Sequence, residues 1–208
     1  MARGFPYTSH PTGWFIVGFS DDIRLGEAVP MRYFSKDLVM WRGEEDGRLY
    51  CLDAFCGHNG AHLGHGGKVD GDCIVCPFHA WKWGPDGRNV DIPYSRIIHN
   101  NAQMKTWHVW EESGLILLWH DAEGREPYWQ PLQFPTNVDK YYPISKTNFV
   151  VRNKPMYGQW FIENIADPAH LKSVHLAPWI PSGGNYYWDG PNWTNTEDQR
   201  DLARPTLG

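Results

Sequence analysis

Cys56-Gly57-His58 and Cys76-Pro77-Phe78-His79 stand 17 residues apart and set a Cys-x-His pair opposite a Cys-x-x-His pair. Two thiolates and two imidazoles on tight loops are a metal-ligand set. One use is a [2Fe–2S] cluster with Cys on one iron and His on the other. Imidazole in place of thiolate raises the potential of such a centre to roughly −150 to +300 mV. Pro77 has no N–H and stiffens its loop. Gly57, Gly60, Gly64, Gly66 and Gly67 let the backbone wrap closely. A second use is zinc, because Cys51, Cys56, Cys73 and Cys76 also form a C-x4-C and C-x2-C pattern. Zinc would leave His58 and His79 unexplained. It would also need Cys73 and Cys76, in odd–even register along a strand, to turn to the same face. Cys51 and Cys73 read better as buried strand thiols, and a disulfide between them is disfavoured in a reducing compartment. The ordinary alternative, core thiols and satisfied histidines, requires two unrelated Cys/His pairs to meet by accident.

A second constellation lies in ENIADPAHLKSVH, with Asn164, Asp167, His170 and His175. Two His and a carboxylate on one face of a metal are the donor set of mononuclear non-haem Fe(II), with positions open for dioxygen and substrate. Five residues of regular helix turn about 500°, which leaves the two rings about 140° apart. They share a metal only if the helix ends or distorts between them. Otherwise they are polar residues on different faces of a surface helix.

The elements that must position these residues are mostly strands. Trp14–Phe19, Leu38–Trp41, Leu49–Leu52, Cys73–Cys76, Trp107–Trp110 and Leu115–Trp119 are rich in β-branched and aromatic residues. Glu45-Asp46-Gly47, Asp70-Gly71-Asp72, Pro85-Asp86-Gly87 and Glu112-Ser113-Gly114 separate them as turns. The pattern predicts a small antiparallel β-domain over the first 120 residues. Residues 121–143 are Pro-rich and polar, as in a connecting segment. Thr147–Val151 reads as a strand, and 156–175 as a helix with Trp160, Phe161 and Ile165 at helical spacing. Asp167-Pro168 is expected to cap and restart that helix. The tail from Pro181 to Gly208 carries no evident element, and no internal repeat is found.

Composition narrows the function classes. With 41% hydrophobic and 21% charged residues in 208, a sizeable core is available and global disorder is excluded. A net charge of −5 argues against a nucleic-acid partner. No apolar run approaches the roughly 20 residues that span a bilayer, and MARGFPYTSHPTGW has no signal-peptide core. The expectation is a soluble, cytoplasmic protein with no membrane association. The 12 Trp divide between both parts of the chain and need no function beyond packing.

CGHNGAHLGHGG followed by CPFHAWKWGPDGRNVDIPYS resembles the Rieske domain of the Rieske non-haem iron oxygenases. HAWKWGPDGRNVDIPYS is most similar to the steroid-acting group of 3-ketosteroid 9α-hydroxylase oxygenases and cholesterol 7-desaturases. The resemblance implies a mostly β Rieske domain over 1–125, a small antiparallel β-sandwich with cluster-binding loops. Residues 126–208 would then be a linker and the start of an α+β catalytic domain, incomplete in this chain. It implies Cys56 and Cys76 on one iron and His58 and His79 on the other, with Trp81 packed nearby. His62 and His65 remain loop residues. N-x-x-D-x-x-H-x4-H resembles the mononuclear-iron motif of the same oxygenases, which implies His170 and His175 as Fe(II) ligands. Asp167 would be a bridge that accepts a hydrogen bond from His58 or His79 of a neighbouring subunit, with Asn164 in support. The family's third ligand is a carboxylate further downstream, and Asp189, Glu197, Asp198 and Asp201 stand in no recognisable ligand context.

The activity implied is a monooxygenase that hydroxylates or desaturates a hydrophobic, steroid-like small molecule with dioxygen. Its partners would be a ferredoxin or flavin reductase as electron donor and copies of itself in a head-to-tail homotrimer. Two other classes stay open: a Rieske ferredoxin-like electron carrier, and a zinc-binding interaction module.

Overall fold

A computed structural model describes residues 10–99, 101–131, 164, 167, 169–176 and 178, and the backbone of 185–189 and 192–196. The chain forms two compact units, Met1–Asn148 and Phe149–Gly208.

In the first unit the strands are β1 (Gly13–Phe19), β2 (Ala28–Tyr33), β3 (Lys36–Arg42), β4 (Leu49–Asp53), β5 (Lys68–Asp70), β6 (Cys73–Val75), β7 (Lys82–Trp83), β8 (Asn89–Asp91), β9 (Val109–Glu112) and β10 (Leu115–His120). They form three antiparallel sheets, ordered β1-β10-β9, β2-β3-β4 and β5-β6-β7-β8.

The sheet β2-β3-β4 is apolar on both faces. Side chains alternate along a strand, so Val39, Trp41 and Leu52 enter one core while Leu38, Met40, Leu49 and Cys51 enter another. The first core also holds Ile74 of β6 and Trp83 of β7, and the second holds Val17 of β1 and Ile116 and Leu118 of β10. One sheet is thus sandwiched by the two others. This is why Leu38–Trp41 reads as an unbroken apolar run rather than an alternating one. All four of those side chains are fully buried, each stabilising the fold by roughly 1.5–3 kcal/mol if a Leu or Met is the guide.

The strands β2, β5, β7 and β8 carry no clear mark in the sequence. β2 contains Pro30, which lacks a ladder donor and is tolerated because β2 is an edge strand. The other three are two or three residues long. The six expected strands are all found with ends shifted by one or two residues: β6 stops at Val75, and β9 runs Val109–Glu112 rather than Trp107–Trp110. Cys73 is half-buried at the start of its strand rather than buried as expected.

In the second unit, helix α1 spans Ala169–Ser173. The tail, expected to be featureless, holds β11 (Asn185–Asp189) and β12 (Asn192–Thr196), paired antiparallel from Asn185–Thr196 to Asp189–Asn192. Its aromatic runs on either side of Asp189-Gly190 are a hairpin signal that the Gly, Asn and Pro content masks. The expected strand Thr147–Val151 and the start of the expected helix lie outside the described residues. Among the described residues no helix is long and apolar enough to cross a membrane.

Candidate metal-cluster site

The two Cys/His pairs sit on two loops of matching backbone design. Cys56 N–H donates to Ala61 O (2.9 Å) and Gly60 N–H donates back to Cys56 O (2.9 Å). In the second loop Cys76 N–H donates to Trp81 O (2.9 Å) and Ala80 N–H to Cys76 O (3.0 Å). Both turns close through a left-handed residue, Gly60 at φ 72° and Ala80 at φ 57°. The first loop follows β4, and the second joins β6 to β7. Gly67 completes the first loop where a Cβ would stand 2.1 Å from Leu63 O, so only glycine fits there.

Cys56 and Cys76 are buried in the same core. Burial pushes the Cys56 thiol up, the His58 amide and the Trp83 indole pull it down, and the neighbouring Cys76 sulfur raises it again. The rings of His58 and His79 lie 4.9 Å apart. His58 stacks on Trp81, with centroids 4.3 Å apart and planes within 3°. His79 Nδ1 is buried with no hydrogen-bond partner, and a buried polar nitrogen of that kind calls for a ligand. Paired buried thiols, paired imidazoles and one orphaned ring nitrogen fit a [2Fe–2S] group.

The tetrathiolate alternative does not fit. Cys51 points from β4 into the opposite core, where burial raises its pKa far above the ordinary thiol value. Cys73 is half-buried on β6, and all four cysteines are free thiols. Among the described residues no three His, Cys, Asp or Glu side chains converge as a single ion would require. His62 and His65 pack on each other at 4.3 Å. His62 Nδ1 accepts the Gly64 amide at 3.1 Å, so its loop already uses that nitrogen.

In the second unit Asp167 Oδ1 accepts the Ala169 amide at 3.0 Å and caps α1. The Asp167 amide donates to Asn164 O at 3.4 Å, and His170 Nδ1 meets the Asp167 carbonyl. The helix stops at Ser173, between the two histidines. Their ring centroids stand 5.3 Å apart, a distance that 140° of continuous helix would not give. Asn164, Asp167 and His175 are exposed, and His170 is half-buried.

Residues 13–121 match the Rieske [2Fe–2S] domain family. The chain belongs to that family. Residues 118–195 match the 3-ketosteroid 9α-hydroxylase C-terminal domain. Among curated proteins, the cholesterol 7-desaturase of Bombyx mori is 36% identical over 95% of this chain and 45% of its own length. A 3-ketosteroid-9-alpha-monooxygenase oxygenase component of Rhodococcus rhodochrous is 39% identical over 79% of this chain and 41% of its own. The chain therefore spans less than half the length of these relatives. Crystalline dicamba monooxygenase shares the fold, with a TM-score of 0.51 at 20% identity over 58% of this chain and 38% of that one.

Trp83 and Tyr94 of the Rieske domain are not singled out by the sequence. Trp83 Nε1 donates to Cys56 Sγ at 3.3 Å, and Trp81 Nε1 donates to Tyr94 Oη at 2.6 Å. The only available signal is Trp-Lys-Trp, whose period of two turns both indoles toward one face beside the second loop.

Proposed function

We propose that this chain carries the Rieske domain and the iron-ligand segment of the oxygenase component of a steroid-oxidising monooxygenase. The Rieske domain ends near residue 125, and Cys56 and Cys76 hold one iron while His58 and His79 hold the other. The observation that carries this is the pair of matching loops with both thiols in one core and both imidazoles 4.9 Å apart. When bound, the cluster supplies a reversible one-electron carrier. The chain's own part is to exclude water from the two thiols and to donate the Trp83 N–H to Cys56.

In the second unit His170 and His175 are the proposed Fe(II) ligands, supported by the break in α1 that lets the rings approach. When bound, that iron supplies dioxygen activation. Asp167 is the proposed link to His58 or His79 of a neighbouring subunit in a homotrimer, with Asn164 in support. Its carboxylate is exposed and oriented by the α1 amide it caps. The substrate class is a sterol or steroid, because the similar proteins are named for cholesterol and 3-ketosteroids. Hydroxylation and desaturation divide those same relatives, so the reaction is placed in the oxygenase class without choosing between them. A ferredoxin or flavin reductase is the proposed electron donor, in the cytoplasm.

Anaerobic purification of the chain tests this directly. A red-brown protein with iron and acid-labile sulfide in equal amount, and a Rieske EPR signal on reduction, is expected. A colourless protein holding zinc overturns it. Iron beyond the cluster, lost on His170→Ala, distinguishes the oxygenase from a Rieske ferredoxin-like carrier.

A further inference from the structure

We infer that Tyr94 is a positioning residue for the histidine side of the cluster, acting through Trp81 on His58. The inference rests on the ligand assignment proposed above. Trp81 is 6% exposed, and a buried indole N–H needs a partner. That partner is the Tyr94 hydroxyl, 2.6 Å away on the segment following β8. The Trp81 carbonyl meanwhile accepts the Cys76 amide at 2.9 Å. The indole is therefore tied by its backbone to the second cluster loop and by its nitrogen to Tyr94. Its face then lies within 3° of the His58 plane at 4.3 Å. His99 stacks on Trp81 more loosely, at 5.4 Å and 16°.

An indole laid flat on a ligand imidazole does two things to the redox balance. It keeps water from the ring, and it presents the negative face of a π-system. Reduction adds negative charge to the group that His58 holds, and both effects disfavour added negative charge. Trp81 thus lowers the potential, opposite in sign to Trp83, whose N–H donates to a cluster sulfur. Tyr94 matters because it fixes the stacking plane. Without its oxygen the indole has an unpaired N–H and a reason to turn toward water.

A spectroscopically monitored redox titration of the purified chain tests this. Tyr94→Phe keeps the ring and deletes the acceptor. Its expected effect is a rise of about threefold in the one-electron reduction equilibrium, about 28 mV at 59 mV per tenfold. Its EPR signal changes shape as the His58 plane relaxes. In a Trp81→Phe background, Tyr94→Phe adds no further shift, because no indole N–H remains to be held. An unchanged potential in Tyr94→Phe with the Rieske signal intact overturns the inference. So does a full shift in the Trp81→Phe background, which would mean that Tyr94 acts independently of Trp81. If Tyr94→Phe loses the cluster, Trp81→Phe removes the same bond from its other end and must raise the potential; an unchanged or lower value overturns the inference. Absence of any Rieske spectrum in the wild-type chain would instead sink the ligand assignment, so the two failures are distinct.

Discussion

Trp83 Nε1 and Cys56 Sγ stand 3.3 Å apart, both buried, and join β7 to the first cluster loop. With Cys56 as the proposed cluster ligand, a hydrogen bond to its sulfur would stabilise the more negative, reduced state, and so raise the potential. Trp83→Phe keeps an aromatic ring in the core and removes the donor. Its potential is expected to fall by some tens of millivolts, on the order of 40 mV per ~1 kcal/mol of lost differential bonding. A redox titration that finds no change would assign Trp83 to packing alone.

The paired loops make a stability prediction that needs no cofactor argument. Gly60 and Ala80 hold corresponding left-handed positions, and a Cβ at Gly60 would meet nothing within 4 Å. Gly60→Ala therefore adds left-handed strain, partly offset by the stiffer unfolded chain, and costs a net of roughly 0.5 kcal/mol. Ala80→Gly relieves the same strain but loosens the unfolded chain, for a net gain of roughly 0.5 kcal/mol. Denaturant midpoints of the two variants should move in opposite directions, and movement in the same direction would refute the equivalence of the loops.

Asp121 closes β10 with several bonds at once. Its carboxylate accepts from Arg125 Nε (3.0 Å) and the Arg125 guanidinium terminus (2.8 Å). It also accepts the Glu123 amide (2.8 Å) and the Thr12 hydroxyl (3.1 Å). Arg125 first, then the backbone amides, hold its pKa well below the ordinary carboxylate range against the cost of burial. A depressed folded pKa means stability present above the unfolded value of about 3.9 and lost as pH falls toward the folded one. Thermal melts should drop below about pH 4 in the wild type, and that dependence should weaken in Asp121→Asn. An equal acid slope in the variant would place the lability elsewhere.

The cysteines can be separated by composition analysis. Cys51→Ala leaves the cluster loops untouched, because its side chain lies in the core across the central sheet. It is expected to retain full iron and sulfide and lose about 1 kcal/mol of stability. Cys76→Ala should lose both iron and sulfide, and His79→Ala the Rieske EPR signal. Loss of metal from Cys51→Ala would revive the tetrathiolate site.

How much of the fold and site is legible in the sequence follows from how local each signal is. Cys56, His58, Cys76 and His79 stand out in the sequence because a ligand set demands fixed residue types at fixed spacing on short loops, and the structure brings the two thiols into one core and the two imidazoles to 4.9 Å. Leu38–Trp41 was legible as a strand because a doubly covered sheet leaves an unbroken apolar run. Tyr94 was not, since its role depends on meeting Trp81 13 residues away in a loop of no regular period. Cys51 and Leu52 are neighbours in sequence yet belong to opposite cores, a division that pattern suggests only once both faces are known to be covered. The pair β11 and β12 was hidden because turn-forming residues outnumber strand formers around it. The expectation for His170 and His175 was conditional on a helix break, and α1 ends between them.

Asp167 has two separable roles, and one substitution divides them. Its Oδ1 caps α1 through the Ala169 amide at 3.0 Å, while the proposed link to a neighbouring cluster histidine depends on its negative charge. Asparagine caps a helix as well as aspartate, whereas alanine in such a position costs about 1 kcal/mol. Asp167→Asn should therefore keep the fold and the reducible cluster of the assembled oxygenase. Substrate-dependent dioxygen consumption should nonetheless be lost, because a neutral amide accepts an imidazole N–H more weakly than a carboxylate does. Asp167→Ala should lose that activity and also melt lower. Normal turnover in Asp167→Asn would leave Asp167 a helix cap and nothing more.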